Sequence, residues 1–410
     1  MQIAKIALIG LALAGLASTP LAAQVGAGPL TESELVRLVV AHPDWQAVES
    51  ARRRAADARA KAAGARPNTE VELLHEGADG FGGDGTQDTA QARYSLDFGG
   101  VRATEKRAGL ARRDADLAEL DKSALDRAMQ ARRLFQEVVG LRRRANARDL
   151  AAARLEAART VVGLRLKEGD ASQLEFSWVD AEAAAARTVA ARYGAEAASR
   201  WAELQAYLGP AAGTYAPPSD APQPAALPPL DAYLAQEASG PDARRLTARA
   251  RAAELESEAL GRRARTPNTA LIGGVRSLDN PMGRTTGLIV GMTVALPFSG
   301  GPRAEAAARA ADAQGLRAEQ RLADATRRNA VLAAYALAQR LDAAANAAPP
   351  PPRAMIEAAE AGYEAGEIEL TDLLATHRAA ADAALARIEL EQEAALARIS
   401  LDELTGKIAP

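Results

Sequence analysis

Side chains able to do covalent or metal chemistry are scarce in this chain. It contains no cysteine, which removes disulfides, thiolate ligands and a cysteine nucleophile together. Its 3 histidines, His42, His75 and His377, are scattered rather than set at the short spacings of a zinc site. Carboxylates are plentiful, yet no nucleophile–base pair, phosphate-cradling glycine loop or ligand cluster accompanies them. No cofactor is called for. With 50 Lys and Arg against 53 Asp and Glu, the formal charge is −3, so no basic footprint for nucleic acid exists. These residues point away from catalysis.

The chain carries instead a strict apolar pattern. In "GLIVGMTVALPFSGG", Leu288, Val290, Met292, Val294, Leu296 and Phe298 share one parity, with Gly287, Gly291, Thr293 and Ala295 between them. Alternation of this kind marks a strand with one apolar face. A second strand from Thr89 to Phe98 sorts Ala90, Ala92, Tyr94, Leu96 and Phe98 from Gln91, Arg93, Ser95 and Asp97 in the same way.

Around these strands stand long runs rich in Ala, Arg and Glu. Aromatics make up 4% of residues, which suits close-packed helices with small interfacial side chains better than an aromatic core. From Arg102 to about Lys167 no proline occurs, and Leu110–Leu117–Leu120 and Leu134–Val138–Leu141 fit a heptad-like seam. Some 65 residues of helix make a rod of about 100 Å, too long for a compact domain to cover.

The chain also reads as written twice. Pro67-Asn68-Thr69 and Pro267-Asn268-Thr269 stand 200 residues apart (267 − 67), as do Phe98 and Phe298, and Gly100 and Gly300. Residues 24–209 and 231–410 each read helix, hairpin, long helix, tip turn, helix, with hairpins at 68–98 and 268–298 and turns near Gly169 and Gly366. The first helix is expected from Thr31 to Ala65. Between the halves, 210–230 is a proline-rich segment expected to run extended. Pro349 to Pro352 should break the second long helix about 20 Å from its tip. Residues 1–23, with Lys5, an apolar run from Ile6 to Leu16 and Ala22-Ala23, read as a secretory signal.

Four amphipathic strands of roughly ten residues match tilted spans of a bilayer. Left alone they would expose two edges and an apolar face, and barrel closure takes about eight strands or more, so several copies must contribute. A soluble sandwich is the alternative, but no further strands are evident to complete one.

"HPDW" at His42, "RTPNTALIGGVR" from Arg265, "GMTVALPFSGGPRAEAAARA" from Gly291, "YEAGEIELTDLL" from Tyr363 and the final "LTG" at Leu404 resemble the TolC-like outer membrane efflux family. The flavour is that of its cobalt–zinc–cadmium resistance (CzcC-like) subgroup. The resemblance implies a mainly α fold carrying a membrane β-barrel. It implies a homotrimer whose protomers would each give four strands to a twelve-stranded barrel in outer membrane lipid, and long antiparallel helices to a periplasmic α-barrel. It implies the exit duct of a tripartite efflux pump that passively exports heavy-metal cations or drugs. A periplasmic adaptor would dock on it and an inner-membrane transporter would energise it. Leu288, Val290, Met292, Val294, Leu296 and Phe298 would then face lipid, and Gln91, Arg93, Ser95 and Asp97 the barrel lumen. Gly169, Ser172 and Leu174, with Gly366, Glu367 and Leu370, match the tips where adaptors dock, although each also reads as a plain turn. Asp372 matches an aspartate that rings the tunnel mouth, or is a solvated helix-face residue; the second acidic position of that motif is Ala375 here. The rival reading is a periplasmic adaptor or coiled-coil scaffold.

Overall fold

A computed structural model describes residues 28–78, 85–218, 226–237, 240–280, 283–296, 300–349 and 353–408. The expected signal at 1–23 lies outside them, as do Pro297, Phe298, Pro350 to Pro352 and part of the expected linker. The element order is α1 (Glu32–Val40), α2 (Pro43–Ala62), β1 (Glu70–Ala78), β2 (Gly85–Leu96), α3 (Val101–Glu168), α4 (Gln173–Leu208), α5 (Leu230–Glu237), α6 (Pro241–Arg263), β3 (Asn268–Asn280), β4 (Gly283–Ala295), α7 (Gly301–Ala347), α8 (Arg353–Glu364) and α9 (Leu370–Thr405).

The expected first helix is two. Pro43 cannot donate to the preceding turn, so α1 stops and α2 restarts with Pro43 at its first position. The His42 ring caps the new start, accepting from the Asp44 N–H at 3.2 Å, so "HPDW" is a helix restart. The linker differs too: a 3-10 turn occupies Gly209–Thr214, and Ala216 bridges Pro29. The loop of the first hairpin is shorter than expected, because β1 runs to Ala78 and β2 begins at Gly85.

α3 is the spine, 68 residues long and so about 100 Å at helical rise. It packs on α1, α2, α4, α6 and α9. Along it the buried positions are alanines near the sheet (Ala108, Ala111, Ala115) and larger residues midway (Leu134, Phe135, Val138, Val139). Small residues let helices approach closely: a Cβ added at Gly109 would lie 2.3 Å from the Cβ of Ala63, the residue that caps the end of α2. The larger residues join Leu35, Val39, Leu204 and Leu208 in a mid-rod core.

Beside that core lies a buried ionic knot. Arg132 of α3 donates to Glu32 of α1 at 2.6 Å and to Asp402 of α9 at 2.9 Å, and Gln136 donates to Glu32 at 2.9 Å. Burial pushes the Asp402 carboxyl up, against the pull of Arg132. The knot ties both ends of the chain to the spine. Removing one partner would leave buried charge uncompensated.

β1 to β4 form one antiparallel sheet in chain order. The two hairpins join through β2 and β3, which leaves β1 and β4 as open edges. Among the described residues no helix is long and apolar enough to cross a membrane.

Candidate functional site: the sheet faces and the helical tips

Register decides what each face of the sheet displays. Val71, Ala92, Gly273 and Val290 fall in one cross-strand row, and Leu73, Ala90, Val275 and Leu288 in the next. Tyr94, Leu271 and Met292 extend the same face toward the helices. Neighbouring residues two apart share a face, so this side is apolar across all four strands. It is also bare: Leu288 is 84% exposed, Val290 88% and Leu73 77%. The nine residues from Leu288 to Leu296 rise about 27 Å along the strand, about 20 Å once tilted, close to the apolar band of an outer-membrane barrel.

Polar groups bound that band at the hairpin end. His75 meets Asp88 at 2.6 Å, and Arg284 donates to Ser277 at 2.7 Å. At the helical end stand Tyr94, whose hydroxyl accepts from Arg66 at 2.9 Å, and Phe98, also exposed. Apolar rows ending in aromatics at one rim and charges at the other suit an aqueous boundary at each side.

The opposite face carries glutamates, glutamines and arginines, with Leu74, Ile272, Leu278 and Ile289 between them. Arg93 pairs with Glu70 at 3.4 Å, Gln91 donates to Glu72, and Gln87 donates to Glu76 at 3.1 Å. Ser95 shares this parity. Gly287, Gly291 and Thr293 give β4 small side chains here. Asp97, expected with this set, sits beyond the end of β2. Its carboxylate accepts from the Val101 N–H at 3.1 Å and pairs with Arg102 at 3.2 Å, so it caps the start of α3. An acceptor is needed there because the first turn of a helix leaves N–H groups without partners.

Far from the sheet, two tips close the helical hairpins. Gly169 adopts φ +90, and the Asp170 N–H reaches back to the Arg165 carbonyl at 2.8 Å. That left-handed cap is open to glycine at little cost. Ser172 then starts α4 through a capping box: the Glu175 N–H donates to its hydroxyl at 3.1 Å and the Ser172 N–H donates to the Glu175 carboxylate at 2.6 Å. Those bonds hold the Glu175 carboxyl below its ordinary value. Gly366 turns the second tip at φ +77, with the Glu367 N–H bonded to the Gly362 carbonyl at 2.8 Å.

The tips differ in character. The first exposes Leu174, at 76%, with Trp178 one turn on and Leu164 on α3. The second exposes Glu364, Glu367, Glu369 and Asp372. Leu370, expected on the docking surface, is 3% exposed and belongs to the core with Val179, Tyr363, Leu373 and Leu374. Leu370, Leu373, Leu374 and His377 follow helical spacing on the buried side of α9, which is the signal that assigns Leu370 inward. Trp178 escaped sequence reasoning, although it stands four residues from Leu174 and next to the buried Val179. Arg165 clasps the two tips, donating to the Tyr363 carbonyl at 3.0 Å with its guanidinium 4.9 Å from the ring. Among the described residues no three His, Asp or Glu side chains converge as a metal set.

No protein-family model matches the sequence, and no curated protein matches it. Solved structures match the fold over 92% of the chain. The outer-membrane channel OprN matches with a TM-score of 0.77 at 17% identity, covering 90% of that chain. The outer membrane protein VceC from Vibrio cholerae matches with 0.75 at 16% identity, covering 96%. The outer membrane channel CmeC of Campylobacter jejuni matches with 0.72 at 14% identity, covering 86%. Of these neighbours, OprN and CmeC are outer membrane channels and VceC is an outer membrane protein. The chain has their fold: long helical hairpins carrying a four-stranded antiparallel sheet.

Proposed function

We propose that the chain is one protomer of an outer-membrane exit duct. Three copies close a twelve-stranded barrel in the outer membrane, and their helices extend into the periplasm as a tunnel. The observation that carries this reading is the sheet: one face apolar and exposed, the other holding the charged and amide side chains among a few aliphatic ones, with both edges open. Such a sheet is unstable alone in water, and closing with other copies pairs the edges while lipid covers the apolar face.

The channel neighbours support this assignment by their shared fold. Residues 1–23 are the leader that directs export, and each half of the duplicated mature chain supplies one hairpin of strands. The tips at Gly169 and Gly366 receive a periplasmic adaptor, Leu174 and Trp178 offering apolar contact and Glu367 charge. Asp372 stands exposed near the mouth. Its carboxylate makes no hydrogen bond or ion pair with the described residues, which leaves it free to join copies of itself in a ring. An inner-membrane transporter supplies the energy. The cargo is a heavy-metal cation or a drug, with the cobalt–zinc–cadmium subgroup as the sequence's nearest flavour.

Fractionation tests the reading directly. A duct remains in outer-membrane pellets after carbonate washing and runs as a heat-modifiable trimer, and its deletion sensitises cells to metals or drugs. Release by carbonate as a monomer would assign a periplasmic scaffold instead.

A further inference from the structure

On the polar face of the sheet almost every charged group has a partner. Glu70 is met by Arg93, and Glu72 and Glu76 by glutamine amides. Arg276 of β3 is different. It is exposed and makes no hydrogen bond or ion pair with any described residue. Its cross-strand neighbours are Thr89 on β2 and Gly287 on β4. A Cβ added at Gly287 would touch nothing within 4 Å, so the surface beside Arg276 is bare backbone. The row containing it, Leu74, Thr89, Arg276 and Gly287, holds no carboxylate.

We propose that Arg276 sets the ion preference of the strand-lined part of the channel. This rests on the duct reading above, in which the polar face lines the lumen. Three protomers would then place three free cations at one height, and rings of charged side chains govern which ions enter a pore. The glutamates of β1 outnumber the arginines on this face, so they favour cations and Arg276 opposes them. Reach decides the conditions under which this matters. A charge is felt over about 30 Å in 0.01 M salt but only about 3 Å in 1 M salt. In a wide lumen Arg276 therefore acts across the bore in dilute salt and only along the wall in concentrated salt.

The test is the potassium-to-chloride permeability ratio of the purified full-length protein in planar bilayers. Arg276→Gln should raise that ratio about two- to threefold in dilute potassium chloride, Arg276→Glu should raise it further, and both effects should vanish near 1 M salt. Arg276→Lys keeps the charge and should keep the parental ratio. An unchanged ratio in Arg276→Gln channels of normal conductance overturns the proposal, as does a Lys variant that shifts like the Gln variant. Should the parent form neither channels nor a heat-modifiable trimer, the duct reading itself fails, and this assignment with it.

Discussion

His377 is the residue whose chemistry most exceeds what packing requires. It is buried on α9, its Nε2 has no hydrogen-bond partner, and Glu360 of α8 lies 3.6 Å away. Burial, and then the positive charge of Arg154 on α3, lower its pKa from the ordinary value of 6.5. A group depressed in this way packs best when neutral. Its contribution is complete above the ordinary value and declines as pH falls through that value toward the lowered one. α8 is short and packs chiefly on α9, so it should register the loss first. Relative to the intrinsic, base-catalysed exchange rate at each pH, protection of α8 and the first turns of α9 should fall between about pH 7.5 and about pH 5.5, with His377→Leu removing most of that fall. Equal protection at both pH values in the parent would refute the coupling. Residues at this scale were unevenly legible. Gln91, Arg93 and Ser95 sort by parity alone, because period 2 is a local property. Asp97 and Leu370 do not, because a helix end competes for the first and a neighbouring hairpin's core for the second.

At the scale of elements, the strands were the most readable part of the chain and the first helix the least. Alternation from Leu288 to Leu296 assigns β4 and its faces without tertiary knowledge, since a one-residue slip would bury polar groups and expose apolar ones. The helical pattern across Ala41 to Pro43 is continuous in composition, and only proline's missing donor reveals the restart at α2. α7 stops at Ala347 and α8 begins at Arg353, a break that proline chemistry makes plain in advance. Parity gives an element-level prediction with a built-in control. Val290→Arg, on the exposed apolar face, should cost about 2–4 kcal/mol per protomer in lipid and sharply reduce heat-modifiable protein in the outer-membrane fraction. Thr293→Arg, three positions along and of the opposite parity, should assemble normally. Equal tolerance at both positions would mean that the apolar face does not meet lipid.

For the whole molecule the open question is what closes the sheet, and the absence of cysteine makes it tractable. β1 and β4 are the edges of a four-stranded sheet. Three strand spacings separate them, about 14 Å, whereas a disulfide needs Cα atoms within about 7 Å. A cysteine at Glu72 therefore cannot bond to one on β4 of the same chain. It can do so only with β4 of another copy lying against its edge. Closed barrels stagger their strands, so the matching row is not fixed by one protomer, and Glu72→Cys should be combined in turn with cysteine at Gly287, Ile289 or Gly291. Oxidised in intact outer membranes, one of these pairs should yield a covalent ladder ending at the trimer on non-reducing gels, collapsing to monomer with reductant. The single-cysteine variants should remain monomeric. A ladder continuing beyond three would indicate an open array of edge-paired sheets, and monomers from every pair would mean that these edges are covered by something other than a second copy of this chain.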